Sequence, residues 1–217
     1  MQQRDWLNAN GFSRNSDIIV YSAAIKEDNP EMIEAKRLNI PTMERADFLG
    51  ELTRCYKDTI CISGTHGKTT TTSMISLCFL EALQDPSIQV GAFLNAIDGN
   101  YRVGNSDHFI IEACEYVESF LKFSPKAEII LNIDNDHLDY FKTFENIKNA
   151  FIRYVALLPK DGYLVLNADD ENCLELRNHS DAKAVTDSAI SATTAAKSAV
   201  ILRKRICTCT FSSARAS

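Results

Sequence analysis

The residues Ser63-Gly64-Thr65-His66-Gly67-Lys68-Thr69-Thr70 combine two close glycines, a lysine and adjacent hydroxyls, a set suited to holding phosphate. Glycine lets backbone N–H groups approach phosphate oxygens, and the N-terminus of a following helix adds unpaired donors and the positive end of its dipole. Lys68 is expected to reach the β- and γ-phosphates of a nucleoside triphosphate, and the Thr69 hydroxyl to ligate Mg²⁺. The loop is tighter than the G-x-x-x-x-G-K-[ST] pattern, because Ile62 stands where that pattern has its first glycine. A chance Gly-Lys-Thr turn is the competing reading. The β-branched apolar run before the loop, Thr59–Ser63, and the helix-like stretch after it, Lys68 to Leu83, argue against chance.

Two further blocks carry polar chemistry. Glu112 ends the apolar run Phe109–Ile111, and a carboxylate at a strand's carboxyl end lies where ligands bind in open α/β sheets. Asn132 and His137 fall in Asn132-Ile133-Asp134-Asn135-Asp136-His137-Leu138-Asp139, after another apolar run. Oxygen ligands suit Mg²⁺, and neutral imidazole is a less usual partner for it. Taken alone, Glu112 also reads as a solvated strand end and His137 as a loop cap. Glu115 and the acids Asp134, Asp136 and Asp139 stay undecided between metal binding and solvated loop positions.

The elements that must position these groups alternate. Strands are expected at Asp17–Ser22 (a short buried one), Ile40–Thr42, Thr59–Ser63, Phe109–Ile111, Glu128–Ile133 and Tyr163–Leu166. Helices are expected from Asn29 to about Leu38, from Glu44 to Cys55, from Lys68 to Leu83 and from Phe144 to Leu158. The last is the clearest amphipathic pattern, with Phe144, Ile147, Phe151, Val155 and Leu158 three to four apart. At the start of the first helix Asn29 can cap and Pro30 suits the first turn. Apolar strand runs that do not alternate with polar residues fit a mostly parallel sheet with helices on both faces, an α/β fold.

Composition narrows the classes. The 217 residues are 45% hydrophobic and 24% charged, with a formal net charge of −6, so nonspecific nucleic-acid binding is not expected. No apolar run is long enough to suggest membrane insertion, and the polar start lacks a signal peptide's apolar core, so a cytoplasmic location is expected. The seven cysteines are scattered, and the reading is reduced, buried thiols rather than a zinc site. From Asp187 the chain turns rich in Ser, Ala, Thr and Arg, a change expected of a tail, either disordered or translated in a shifted frame.

Taken together and in order, Gly64-Thr65-His66-Gly67-Lys68-Thr69-Thr70-Thr71-Thr72, Ile111-Glu112-Ala113-Cys114-Glu115-Tyr116 and Asn132–Asp139 resemble three motifs of the Mur ligases, and His66 is typical of the alanine-adding branch. The resemblance covers about Asp17 to Thr186. It implies a P-loop-containing central domain at 48–186, preceded at 1–47 by the remnant of a Rossmann-like, UDP-sugar-binding domain and followed by the atypical tail at 187–217. It implies ATP and Mg²⁺ as cofactors, with Gly64, Thr65, His66, Gly67, Lys68, Thr69 and Thr70 as nucleotide contacts. Thr69, Glu112 and His137 would be metal ligands, and Lys68, Glu112 and His137 the catalytic set. Asn132, together with Ser22 and Ala23 at an early strand end, would lie near substrate. The implied reaction joins L-alanine to the carboxylate of UDP-N-acetylmuramate through an acyl phosphate, in peptidoglycan precursor synthesis. The related ligase that attaches a ready-made peptide stays open, since Cys114 does not decide between the two. A P-loop kinase or NTPase of another class competes with both, as does an inert chain that only binds nucleotide. The family's N-terminal Gly-rich loop and C-terminal domain are not recognised in these 217 residues, so little ligase activity is expected of this chain by itself.

Overall fold

The computed structural model describes residues 16–187, and the chain divides into two units, Met1–Leu52 and Thr53–Ser217. In the first unit, β1 (Ile19–Tyr21) pairs in parallel with β2 (Thr42–Glu44), and α1 (Pro30–Arg37) connects them. Asn29 caps α1 by accepting from the Glu31 N–H at 2.8 Å, with Pro30 at the first helical position as the sequence indicates. β1 is shorter than the expected Asp17–Ser22 and is only half-buried, and among the described residues β2 is its single partner. The second strand likewise begins at Thr42 rather than Ile40. The helix α2 (Arg45–Arg54) follows directly.

The second unit carries the larger sheet. Its strands are β3 (Asp58–Ser63), β4 (Ser87–Leu94), β5 (Gly99–Arg102), β6 (His108–Glu112), β7 (Ala127–Ile130), β8 (Tyr163–Asn167) and β9 (Lys183–Asp187). Their order is β5-β4-β6-β3-β7-β8-β9, and every pair is parallel except the β4–β5 hairpin. All six residues of β3 and all four of β7 are buried, which is why their apolar runs show no alternation.

Successive residues of β3 nevertheless face opposite layers. Ile60 and Ile62 join Ile110, Ile129 and Val165 in a core closed by Ile75 and Phe79 of α3 (Lys68–Glu81). On the other face Cys61 lies in register with Glu128, and the helix α5 (Phe144–Val155) brings Phe151 and Tyr154 over the sheet. Phe120 stacks on Tyr154 with ring centroids 4.2 Å apart and meets Phe151 edge-on at 5.3 Å. Thr143 caps α5 by accepting from the Asn146 N–H. Two short helices, α4 (Leu138–Phe141) and α6 (Glu171–Glu175), lie in the same unit with 3₁₀ segments that include one at Tyr116–Lys122.

Sequence patterning leaves out β4, β5 and β9. It also carries β7 on to Ile133, whereas the strand stops at Ile130 and Leu131–Ile133 form a loop. The expected tail begins where β9 ends, and residues 188–217 lie outside the described residues. The cysteine reading needs correction as well. Cys61 and Cys173 are buried free thiols, but Cys55 and Cys114 are exposed, because they lie in the loops that follow α2 and β6. Among the described residues, no helix is long and apolar enough to cross a membrane.

Candidate functional site

The strand order turns about at β3. The chain runs from β3 through α3 to β4, returns to β6 between them, then crosses to β7 on the far side of β3. In an open parallel sheet such a reversal opens a crevice at the carboxyl ends of the strands. The phosphate loop leaves β3 there, Glu112 ends β6, and Asn132 follows β7 by two residues.

Backbone geometry explains both loop glycines. Gly64 has φ +133°, and a Cβ on it would lie 3.0 Å from the Asn132 nitrogen and from Leu131 Cβ. Gly67, the residue before α3, has φ +84°, a left-handed conformation that L side chains rarely adopt. Among the described residues no side chain caps α3, so its first-turn N–H groups face the crevice without a side-chain acceptor. The hydroxyl-rich start of α3 is locally satisfied: Thr72 donates to the Lys68 carbonyl, Ser73 to Thr69 and Ser76 to Thr72. Thr70 is exposed beside them.

The loop is tied to the segment after β7 by a two-way set of bonds. The Thr65 N–H donates to the Asn132 carbonyl at 3.1 Å, and the Asp134 N–H donates to Thr65 Oγ1 at 2.8 Å. The Asn132 carboxamide accepts from the His66 N–H at 2.8 Å and donates to the His66 carbonyl at 3.0 Å. Both ends of the Asn132 side chain are therefore engaged in shaping the loop. His66 itself is exposed, with Nε2 3.9 Å from Asp134 Oδ2.

Thr69 Oγ1 donates to the Glu112 carboxylate, 3.0 Å from each oxygen. Glu112 Oε2 also accepts from the Gly91 N–H of β4 at 2.7 Å, and a Cβ on Gly91 would lie only 2.6 Å from that oxygen. A hydroxyl and a carboxylate sharing one spot beside a phosphate loop form a hard-oxygen set of the kind that Mg²⁺ takes, so these two residues would hold the ion. Among the described residues, no group of three or more His, Cys, Asp or Glu side chains could hold a metal ion.

Lys68 Nζ lies over the loop, donating to the carbonyls of Gly64 at 2.7 Å and Thr65 at 3.2 Å and to Glu115 at 2.8 and 3.1 Å. His137, in a left-handed conformation at the start of α4, places Nε2 3.8 Å from Glu115 Oε1 and meets the Tyr116 ring at a 40° tilt with centroids 4.7 Å apart. The structure thus brings Lys68, Thr69 and Glu112 together and joins His137 to them through Glu115. Ser22 and Ala23 lie exposed in the turn after β1, in the first unit.

Gly91 is the member that sequence reasoning does not pick out, and Glu115 is the one it leaves undecided. A glycine inside a strand often marks a close backbone approach, and that was the signal available for Gly91.

A parallel sheet that delivers a Gly-Lys-Thr loop, a helix N-terminus and a strand-end carboxylate to one crevice defines an α/β protein of the phosphate-loop kind. The Mur ligase middle domain matches residues 62–213, and the Mur ligase family catalytic domain matches residues 8–57. The chain belongs to the Mur ligase family. It is 55% identical over 163 residues to a UDP-N-acetylmuramate–L-alanine ligase of Acetivibrio thermocellus, covering 75% of this chain and 35% of that protein. It is 57% identical over 173 residues to the ligase of the same name from Clostridium botulinum strain Okra, covering 80% and 38%. The crystal structure of the UDP-N-acetylmuramate–alanine ligase of Thermotoga maritima superposes with a TM-score of 0.70 at 29% identity, over 82% of this chain and 40% of that one. The chain spans little more than a third of the length of the curated relatives it matches.

Proposed function

We propose that the chain provides the Mg-ATP site of a ligase that joins L-alanine to the carboxylate of UDP-N-acetylmuramate in the cytoplasm. The observation that carries this reading is the convergence of Lys68, Thr69 and Glu112 at the carboxyl ends of β3 and β6. The high identity to relatives bearing that name supports the choice of substrates. Residues 48–186 form the ATP-binding domain in this reading, and residues 1–47 belong to the UDP-sugar-binding part.

The loop N–H groups and the α3 N-terminus bind the triphosphate, and Lys68 neutralises charge between the β- and γ-phosphates. Thr69 and Glu112 would hold Mg²⁺, which would supply positive charge to offset the repulsion between two anionic reactants. A muramate carboxylate oxygen attacks the γ-phosphorus and ADP leaves. The amine of L-alanine then attacks the acyl carbon, and phosphate leaves with the former carboxylate oxygen. Asn132 keeps the loop in shape for this through its two bonds with His66, and its second N–H and second lone pair stay available to substrate or its phosphate. His137 lies at the edge of the site, where a second metal or the transferring phosphoryl group would meet it.

A chimera tests the reading. Residues 17–186 replace the corresponding stretch of the Clostridium botulinum ligase, and product is followed by mass spectrometry with UDP-N-acetylmuramate, L-alanine and Mg-ATP. Alanine ligation that is lost on Lys68→Ala supports the proposal. A folded chimera that binds Mg-ATP yet forms no amide counts against it.

A further inference from the structure

Glu115 is a charged side chain of the crevice that neither the phosphate loop nor the metal pair accounts for. It is 2% exposed, and both its oxygens accept from Lys68 Nζ, which is itself 12% exposed. An ammonium has three N–H donors. The Gly64 carbonyl, the Thr65 carbonyl and Glu115 together employ all three. A triphosphate must therefore take at least one donor from a protein acceptor. A buried carboxylate beside a polyanion site is also repulsive, more so away from bulk water. Both facts make Glu115 costly for nucleotide binding unless it serves Lys68.

The segment that carries Glu115 is fixed at both ends. The Ala113 N–H donates to the Ile62 carbonyl at 2.8 Å, and the Phe120 N–H donates to the Cys114 carbonyl at 3.0 Å. Between them the chain turns tightly, with Val117 and Glu118 at φ 48° and 57°. Lys68, by contrast, reaches Glu115 on a four-carbon stem that can swing without backbone movement. When Lys68 leaves, Glu115 keeps His137 Nε2 at 3.8 Å as a neighbour.

We propose that Glu115 is a latch on the phosphate-loop lysine. It holds the Lys68 ammonium against the loop, competes with the triphosphate for it, and yields it when nucleotide binds. This rests on the nucleotide reading above. Glu115 is then a positioning residue, acting through Lys68 and making no nucleotide contact of its own.

The test is calorimetric titration of the chain with Mg-ATP for the wild type, Glu115→Gln, Lys68→Met and the double variant, with circular dichroism to confirm folding. Gln keeps the shape and one carbonyl acceptor but removes the charge. Glu115→Gln is expected to bind about tenfold more tightly, the size of one charge-assisted hydrogen bond no longer competing. That gain is expected to vanish in the Lys68→Met background. If Glu115→Gln does not fold, Glu115→Asp carries the test: it draws the carboxylate back by one methylene and should tighten binding severalfold. Unchanged or weaker binding by these variants, or a gain that survives Lys68→Met, overturns the latch while the nucleotide reading stands. Absence of Mg-ATP binding by every folded variant, the wild type included, overturns both.

Discussion

Replacing Gly91 with alanine should uncouple the metal site from the fold. The added Cβ would lie 2.6 Å from Glu112 Oε2, 3.0 Å from Oε1 and 3.1 Å from Cδ, against 3.4–4 Å for ordinary contact. All three atoms belong to the far end of one flexible side chain, so the carboxylate can move while the backbone of β4 stays. Glu112 then loses the 2.7 Å bond from the Gly91 N–H and its 3.0 Å bonds from Thr69. Each hydrogen bond to a charged group contributes about 1.5–3 kcal/mol when nothing replaces it. Glu112 is only half-buried, however, and water takes over much of that role, so the melting temperature should fall by no more than a few degrees. The cost falls instead on the oxygen pair that would grip the metal. Displacing one carboxylate should weaken the Mg²⁺-dependent part of ATP binding by about tenfold to a hundredfold, or roughly 1.4–2.8 kcal/mol. The assay is ATP titration with Mg²⁺ and with a chelator. Gly91→Ala should keep the chelator value and lose the Mg²⁺ increment. A full increment in the variant would refute the placement of Glu112, and an unfolded variant would refute the claim that the side chain alone gives way.

Two further outcomes concern a buried acid of β7 and the support of the phosphate loop. Glu128 is fully buried opposite Cys61, its oxygens have no hydrogen-bond partner among the described residues, and burial holds its carboxyl well above the ordinary value of 4.5. The folded chain keeps that proton while the unfolded chain releases it, so the stability is fully present below about pH 4.5 and declines as pH rises toward the folded-state value, by up to about tenfold in the unfolding constant per pH unit. Burial likewise raises the Cys61 thiol and the Tyr154 phenol that face it, so both stay neutral and add no opposing slope. Thermal melts from about pH 5 to about pH 8 should show Glu128→Gln losing less stability than the wild type, because its burial cost does not depend on proton release; parallel curves would contradict this. Asn132→Ala should free both the N–H and the carbonyl of His66, speeding hydrogen exchange at residues 65–67 and weakening ATP binding severalfold, and protection equal to wild type would remove Asn132 from the loop's support.

The loop and its flanks were readable because their signals are local. Thr59–Ser63 is β-branched and fully buried, and the Gly-Lys-Thr turn sits between it and a helix, so composition and position agree. β4 was not readable for physical reasons. Only three of its eight residues are buried, Gly91 interrupts the run, and a register shift separates Gln89 from Leu94. Among the described residues β9 is an edge strand, and its Lys183, Ala184, Val185 and Thr186 are half-buried or exposed. The roles of Glu115 and Asn132 depend on contacts 47 and 66 residues away in the chain, and for Glu115 also on a turn with two non-glycine residues at positive φ. Nothing in the spacing of Ala113-Cys114-Glu115-Tyr116 announces that the acid folds inward and not toward solvent.

The most direct measurement is a crystal structure of the chain with Mg²⁺ and a non-hydrolysable ATP analogue. The account predicts phosphates cradled by the backbone N–H groups of Gly67, Lys68 and Thr69, Lys68 Nζ turned from Glu115 to the β- and γ-phosphates, and Mg²⁺ between Thr69 Oγ1 and the Glu112 carboxylate. Nucleotide bound away from this loop, or a metal held without Thr69 and Glu112, would contradict it.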